Sequence, residues 1–165
     1  MQKVLVVGLG EIGRPLFELI KESGRFQVYG FDVDKTKMLK LGQVAEEIPQ
    51  RVDVIHICIP CASQEEFVKV VADYANKYHP RLLIINSTVP PKTTFKVSEK
   101  CKCLVSHSPI FGTHTDVEYM KWDIRRWTKI VGGVDAASSE ATCKHFREVG
   151  IKSTALKGPL ETELT

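Results

Sequence analysis

The sequence predicts an α/β protein: a doubly wound, mainly parallel sheet with helices on both faces. Three observations predict it. Short apolar runs rich in β-branched residues recur along the chain, beginning with KVLVV at 3–7. Amphipathic helical stretches separate these runs, and a parallel strand needs such a crossover to reach its neighbour. The first run ends in a glycine-rich turn, GLGEIG at 8–13, that opens the first helix.

KVLVV suits a strand buried on both faces. After the turn, RPLFELIKESG places Leu16, Phe17 and Ile20 at helical spacing, with Gly24 as the stop. FQVYGFD (26–32) is a second strand and DKTKMLKLG (34–42) a short helix. VDVIHICIP (52–60) is a third, buried strand closed by a proline. Residues 63–78 carry Phe67, Val70, Val71, Tyr74 and Tyr78 on one helical face, and Ser63 with Glu66 forms a capping box. RLLIINS (81–87) is a fourth strand, and the prolines of 90–99 suit the first turn of a short helix.

KCLVSH (102–107) and TKIVGG (128–133) are the fifth and sixth strands; the long polar stretch between them, 108–127, reads as functional or locally helical. Residues 135–150 form a helix ending at Gly150, 151–157 a seventh strand, and Pro159 opens a last helix. The expected strand order is 3-2-1-4-5-6 with extra strand material after the sixth, and ligand binding is expected where that order reverses, across strands one and four.

Composition excludes several classes. With 165 residues, 43% hydrophobic and 26% charged, the chain is globular and long enough to bury a core without staples. A formal charge of +3 is too small and scattered to argue for nucleic acid. No apolar run reaches the ~18 residues of a membrane span, and MQKVLVVGLG has no cleavage site of a signal peptide. Five cysteines in no framework spacing read as reduced thiols, which suits the cytoplasm.

The glycine turn carries the chemistry. It follows a buried strand, opens a helix, and has an acidic residue, Asp32, 19 positions after Gly13 at the end of the next strand. That is the context of a dinucleotide-binding fingerprint in a Rossmann-type sheet. Gly8 permits the tight turn, Gly10 lets the backbone approach a pyrophosphate, and Gly13 lets the helix pack on the strand. The amides of the turn and helix start, through Glu11 and Ile12, face the phosphates at the positive end of the helix dipole. Asp32 accepts from the ribose hydroxyls and would repel a 2′-phosphate, so NAD is expected over NADP.

Three later segments resemble one family. INSTVPPKTT (85–94), ICIP (57–60) and SHSPIF (106–111) resemble, in order, the STVP, proline-closed strand and SPEF segments of the UDP-glucose/GDP-mannose dehydrogenases. The resemblance covers nearly the whole chain, as the N-terminal NAD-binding domain. It implies a two-step oxidation of a nucleotide sugar at C6. It places Asp32 and Lys37 at the adenosine ribose, Pro60 and Thr88 on the nicotinamide side, and Thr88 nearest the catalytic carbon. Two departures stand out. Ile110 occupies the position of the SPEF glutamate, and an apolar side chain is neither acid nor base. ETELT (161–165) resembles the start of the family's central helix, so the expected division is 1–158 for the cofactor domain and 159–165 for that helix. The family's lysine, asparagine and cysteine would lie beyond residue 165. The chain is therefore expected to bind NAD and turn over nothing, and to dimerise only with the central helix. The alternatives are the cofactor domain of a prephenate or 3-hydroxyacid dehydrogenase, which HSPIFG also resembles, and a stand-alone dinucleotide sensor.

Other residues have blander readings. Cys58 and Cys61 form a CxxC, but Cys58 sits in a buried strand and Pro60 lies between them, so a structural role is expected. Cys101, Cys103 and His107 offer at most three zinc ligands, and no metal is expected. His107 and His114 flank SPIFGT at a strand's carboxyl end; His107 reads as a satisfied strand-end residue before a site residue. His56 reads as a hydrogen-bonded core residue. Trp122 and Trp127 read as packed tryptophans beside solvated Arg125 and Arg126.

Overall fold

Alternation within each strand decides how the layers assemble. In the computed structural model, which describes residues 1–112 and 116–165, β1 (Gln2–Val7), β3 (Val54–Ile57) and β4 (Leu82–Ile85) are buried on both faces across their paired cores. Val4, Val6, Val54, Leu82 and Ile84 face one layer. There they meet Leu16, Phe17 and Ile20 of α1 (Gly13–Glu22), Met120 and Ile124 of α5 (Val117–Arg126), and Phe146 of α6 (Ala136–Val149). Leu5, Val7, Ile55, Ile57, Leu83 and Ile85 face the other layer. Phe67 and Val71 of α3 (Gln64–Tyr78) and Val97 of α4 (Thr93–Glu99) cover them. Period-two side chains with apolar character at every position need a layer on each side, and the alternating helices supply both.

Among the described residues the sheet has seven strands in the order β2-β1-β3-β4-β5-β6-β7, where β2 is Phe26–Phe31, β5 Leu104–His107, β6 Lys129–Gly133 and β7 Ser153–Ala155. β1 to β5 pair in parallel, β6 runs antiparallel to β5, and β7 is parallel to β6. This corrects the expected order. The third strand does not continue outward past β2; it lies between β1 and β4. Only Phe26 and Gly30 of β2 are fully buried, and Gln27 is exposed, which fits an edge strand. VIHI is buried at every position and fits only the interior. The order therefore reverses between β1 and β3, not between strands one and four.

Element boundaries follow local chemistry. Ser63 caps α3 by accepting from the Glu66 N–H at 3.4 Å, and the helix ends at His79, a left-handed residue (φ 46°) ahead of Pro80. Its buried seam runs through Val68 and not Val70. The stretch after β5 is helical over α5, capped by Asp116 accepting from the Tyr119 N–H at 2.8 Å. The short helices α2 (Lys35–Lys40) and α7 (Pro159–Glu163) complete the fold. Among the described residues no helix is long and apolar enough to cross a membrane.

His56 is fully buried on β3, as a core histidine should be only when satisfied. The Asn86 amide donates from Nδ2 to Ser108 O at 2.8 Å, which turns its Oδ1 toward His56 Nδ1, also at 2.8 Å. Asn86 Oδ1 only accepts, so Nδ1 carries the proton and His56 Nε2 is bare. His145 Nε2–H then donates to it across 2.8 Å, leaving His145 Nδ1 as a buried acceptor without a partner. Burial pushes the His56 pKa down to about 4, and His145 falls well below its usual range for the same reason.

Both rings are neutral when folded and take up protons when unfolded, so acid favours the unfolded chain. Stability is expected to fall as pH drops from about 6.5 toward 4, by up to about 3 kcal/mol from His56 alone. Urea unfolding at pH 7, 6 and 5 checks this: a flat midpoint over that range contradicts it.

Candidate functional site

The glycine turn sits at the carboxyl end of β1. Gly8 has φ +92°, and a Cβ there would lie 2.5 Å from the Cys58 carbonyl oxygen just past β3. A Cβ on Gly13 would lie 1.7 Å from the Gly8 carbonyl oxygen. These two positions are closed by backbone on backbone. A Cβ on Gly10 would meet nothing within 4 Å. Packing therefore explains the first and third glycines and leaves the second facing open space. Helix α1 begins there with no acidic residue in its first turn, so its positive end is uncompensated from within.

Asp32 lies just past β2 and turns back onto the loop. Its Oδ2 accepts from the Leu9 N–H and its Oδ1 from the Asp34 N–H, both at 2.8 Å. Each oxygen keeps a second lone pair. Lys37 is exposed on the first turns of α2, a helix capped by Asp34 accepting from the Thr36 N–H at 3.0 Å. Pro60 and Thr88 are both exposed, just beyond β3 and β4. Buried Ser87 joins their two loops by donating its hydroxyl to Ile59 O at 2.5 Å. All the expected residues thus lie along the carboxyl edge of the sheet, Asp32 and Lys37 at one end and Pro60 and Thr88 further along.

His107 is buried at the end of β5, with both ring nitrogens engaged: Nε2 with Ser87 O at 2.9 Å and Nδ1 with Thr162 Oγ1 at 2.8 Å. Burial lowers its pKa, so the neutral ring donates from Nε2 to the Ser87 carbonyl and anchors the loop that carries Thr88. It is a satisfied strand-end histidine. Glu163 of α7 fixes the next turn, accepting from the Lys92 and Thr94 N–H groups at 2.7 and 2.8 Å.

Sequence reasoning missed Lys129. It is buried at the start of β6, and its Nζ donates to Ser108 O at 3.2 Å and Pro109 O at 2.9 Å, over the Phe146 ring. Burial lowers its pKa to about 7. It borders a cavity of about 230 Å³ with Ile110, Phe111, Ile124 and Trp127. A lysine opening a strand carries no sequence signal for burial; only the antiparallel pairing of β5 with β6 brings it under the Ser108–Pro109 carbonyls.

Other constellations do not assemble. Cys58 is buried with its thiol pushed up to about 12, which fits a structural residue. Cys101 and Cys103 lie at the amino end of β5 and His107 at its carboxyl end, and no group of three metal-ligating residues occurs among the described residues. His114 lies outside the described residues. The tryptophans are not packed inside: Trp122 and Trp127 are 49% and 58% exposed, and Arg126 stacks 4.2 and 4.6 Å from their rings. The ring–guanidinium sandwich, with Asp123 accepting from Arg126 at 2.8 Å, holds them at the surface.

No family model matches the chain. It is 26% identical to UDP-N-acetyl-D-mannosamine dehydrogenase of Methanocaldococcus jannaschii, over 84% of this chain and 40% of that protein. It is 30% identical to the enzyme of the same name from Methanococcus aeolicus, over 59% of this chain and 30% of that protein. The chain is similar to the N-terminal NAD-binding domain of the UDP-glucose/GDP-mannose dehydrogenase family. It spans about 40% of the length of the first of these curated relatives. Among solved structures, the UDP-D-ManNAc dehydrogenase of Pyrococcus horikoshii matches with a TM-score of 0.76 at 20% identity, over 98% of this chain and 48% of that one. Prephenate dehydrogenase of A. aeolicus, solved with hydroxyphenyl propionate and NAD+, also matches at 0.76, with 17% identity over 99% and 62%. These likenesses establish the fold as that of the dehydrogenase Rossmann domains.

Lys129 gives a test of the geometry at this edge. Held near 7 when folded and near 10.5 when unfolded, it binds its proton more weakly in the folded chain, so stability should rise with pH from 7 to 9. The expected slope is about 1.4 kcal/mol per pH unit. Lys129→Met should abolish that slope. Urea unfolding of both proteins at pH 7, 8 and 9 decides it, and an equal slope in the variant removes Lys129 as its source.

Proposed function

We propose that the carboxyl edge of β1 and β3 binds NAD(H), and that this chain serves as the cofactor-binding part of a nucleotide-sugar dehydrogenase-type oxidoreductase. The observation that carries the reading is the contrast among three glycines. Gly8 and Gly13 are required by the protein's own backbone, whereas Gly10 borders open space that a ligand's pyrophosphate would use. The donor set fits a dinucleotide. Amides from Gly10 through Gly13, with Glu11 and Ile12 between, suit the pyrophosphate, since those of Gly8 and Leu9 donate to Phe31 O and Asp32. Asp32, held by the Leu9 amide, has lone pairs for ribose hydroxyls, and Lys37 stands beside it on α2. Pro60 and Thr88 serve the nicotinamide side, with Thr88 the residue nearest the chemistry. When bound, NAD supplies a hydride acceptor; the chain's own residues bind and orient it.

A nucleotide sugar is the substrate class this reading implies for the whole protein, by analogy with the UDP-N-acetyl-D-mannosamine dehydrogenases. The second reading, the cofactor domain of a prephenate or 3-hydroxyacid dehydrogenase, is favoured by Ile110. It is buried against an apolar cavity, so this position offers no carboxylate to a sugar substrate. Thermal shifts with UDP-sugars and with prephenate, each in the presence of NAD, separate the two.

Gly10→Ala should weaken NADH binding roughly tenfold or more while changing stability by less than about 0.5 kcal/mol. Gly13→Ala should cost about 3 kcal/mol or more, because its Cβ collides with backbone. Fluorescence titration with NADH and urea unfolding measure both; a Gly10→Ala protein that binds normally overturns the reading. Asp32 should also favour NADH over NADPH, since a 2′-phosphate about 4 Å away would be repelled by roughly 4 kcal/mol at most. Equal affinities would remove Asp32 from the ribose site.

A further inference from the structure

At the opposite, amino edge of the sheet, the loops entering β3, β4 and β5 converge on a cleft of about 340 Å³. Arg51, His79, Lys102 and Cys103 line it. Lys100 stands two residues before Lys102, and among the described residues no carboxylate lines the cleft.

Cys103 has a partner thiol. Cys101 is tied to the end of α4 by its N–H donating to Ser98 O at 3.3 Å, and the chain bends at Lys102 and Cys103 before β5 begins at Leu104. The bend corrects the expected strand start at 102. It also matters for reach. Two residues of extended strand separate Cα atoms by about 6.6 Å, the upper edge of the ~4.4–6.8 Å that a disulfide spans; a bend draws them closer. Both side chains are half-buried against the same apolar cluster under α3 and α4. The neighbouring Cys103 thiol lowers the Cys101 pKa, and the Cys103 proton is correspondingly harder to remove. A half-buried thiol of lowered pKa, with a second thiol two residues on that lines a basic cleft, is the arrangement of a resolving pair. Cys58 and Cys61 differ, since burial raises both their thiols.

We propose that Cys101 and Cys103 form a redox dithiol that exchanges with an anionic low-molecular-weight disulfide seated in the basic cleft beside Cys103. The Cys101 thiolate attacks one sulfur of the disulfide R–S–S–R; a Cys101–S–R bond forms and R–S⁻ leaves. The Cys103 sulfur, giving up its proton, then attacks Cys101 Sγ, closing the Cys101–Cys103 disulfide and expelling the second R–S⁻. The two thiol protons end on the two leaving thiolates. The protein dithiol is oxidised and one disulfide is reduced to two thiols. Carboxylates on R pair with Arg51 and Lys102. The site lies across the sheet from the glycine turn and does not depend on the nucleotide-binding reading.

Oxidised glutathione is the probe. The reduced full chain is incubated with it, alkylated, and cut at glutamates, which releases both cysteines in one peptide beginning at Lys100. That peptide should be unalkylated and two hydrogens lighter. In Cys103→Ser it should instead carry glutathione on Cys101, because nothing resolves the mixed disulfide. A wild-type peptide alkylated at both cysteines, or one that keeps glutathione without closing, overturns the dithiol. Arg51→Gln with Lys102→Gln should slow oxidation by glutathione disulfide roughly threefold or more, the scale of two exposed ion pairs, and leave oxidation by neutral bis(2-hydroxyethyl) disulfide unchanged. Equal slowing of both, or of neither, overturns the cleft's role. Far-UV circular dichroism of each protein confirms that folded chains are compared.

Discussion

The backbone contact between the end of β1 and the start of α1 constrains everything else at the carboxyl edge. Gly13 stands so near the Gly8 carbonyl that no side chain fits, and a Cβ on Gly8 would lie 2.5 Å from the Cys58 carbonyl oxygen just past β3. Three elements are thereby locked at one corner. With α1 pinned, its apolar stripe lies along β1 and β2, and the loop residue Leu9 presents its N–H to Asp32. Steric closure at two glycines produces both the packing and the opening at the third.

The same edge is held further along by polar groups that are themselves buried. Asn86, Ser87 and His107 each spend a side-chain hydrogen bond on another loop: Ser108 from Asn86, Ile59 from Ser87, Ser87 from His107. Such groups stabilise only when matched, since an unpaired one keeps its desolvation cost. They make the loops after β3, β4 and β5 one body, and Pro60 and Thr88 ride on it. His107, read from the sequence as a satisfied strand-end residue before a site residue, fixes the Ser87 carbonyl.

The amino edge is built on a different plan. There the chain enters β3, β4 and β5 through exposed basic residues, and the half-buried thiols sit among them. A sheet protein with an open glycine turn at one edge and cations with two half-buried thiols at the other keeps the two apart by the length of its strands. Lys129 shows how such separation depends on partners: its amine is tolerated inside because two carbonyls and a ring receive it, and burial still draws its pKa down to about 7.

What the sequence alone determined is what depends on neighbours along the chain. Strand and helix identity followed from periodicity, the Ser63 cap from its spacing to Glu66, and the glycine turn from its place between strand and helix. The position of Asp32 at the end of the next strand was readable because β2 runs parallel to β1 in register, Phe31 opposite Val7. What only tertiary structure decided involves partners distant in sequence. The placement of β3 beside β1 was set by which strand could be buried on both faces, a comparison between strands rather than within one. The His56–His145 pair spans 89 residues, and the burial of Lys129 arises from β6 turning antiparallel to β5. Trp122 and Trp127, hydrophobic by type, stay at the surface because a guanidinium between them makes a better neighbour there than the core does. Local spacing encodes local geometry; long-range pairing is encoded only in the whole set of faces that must be covered at once.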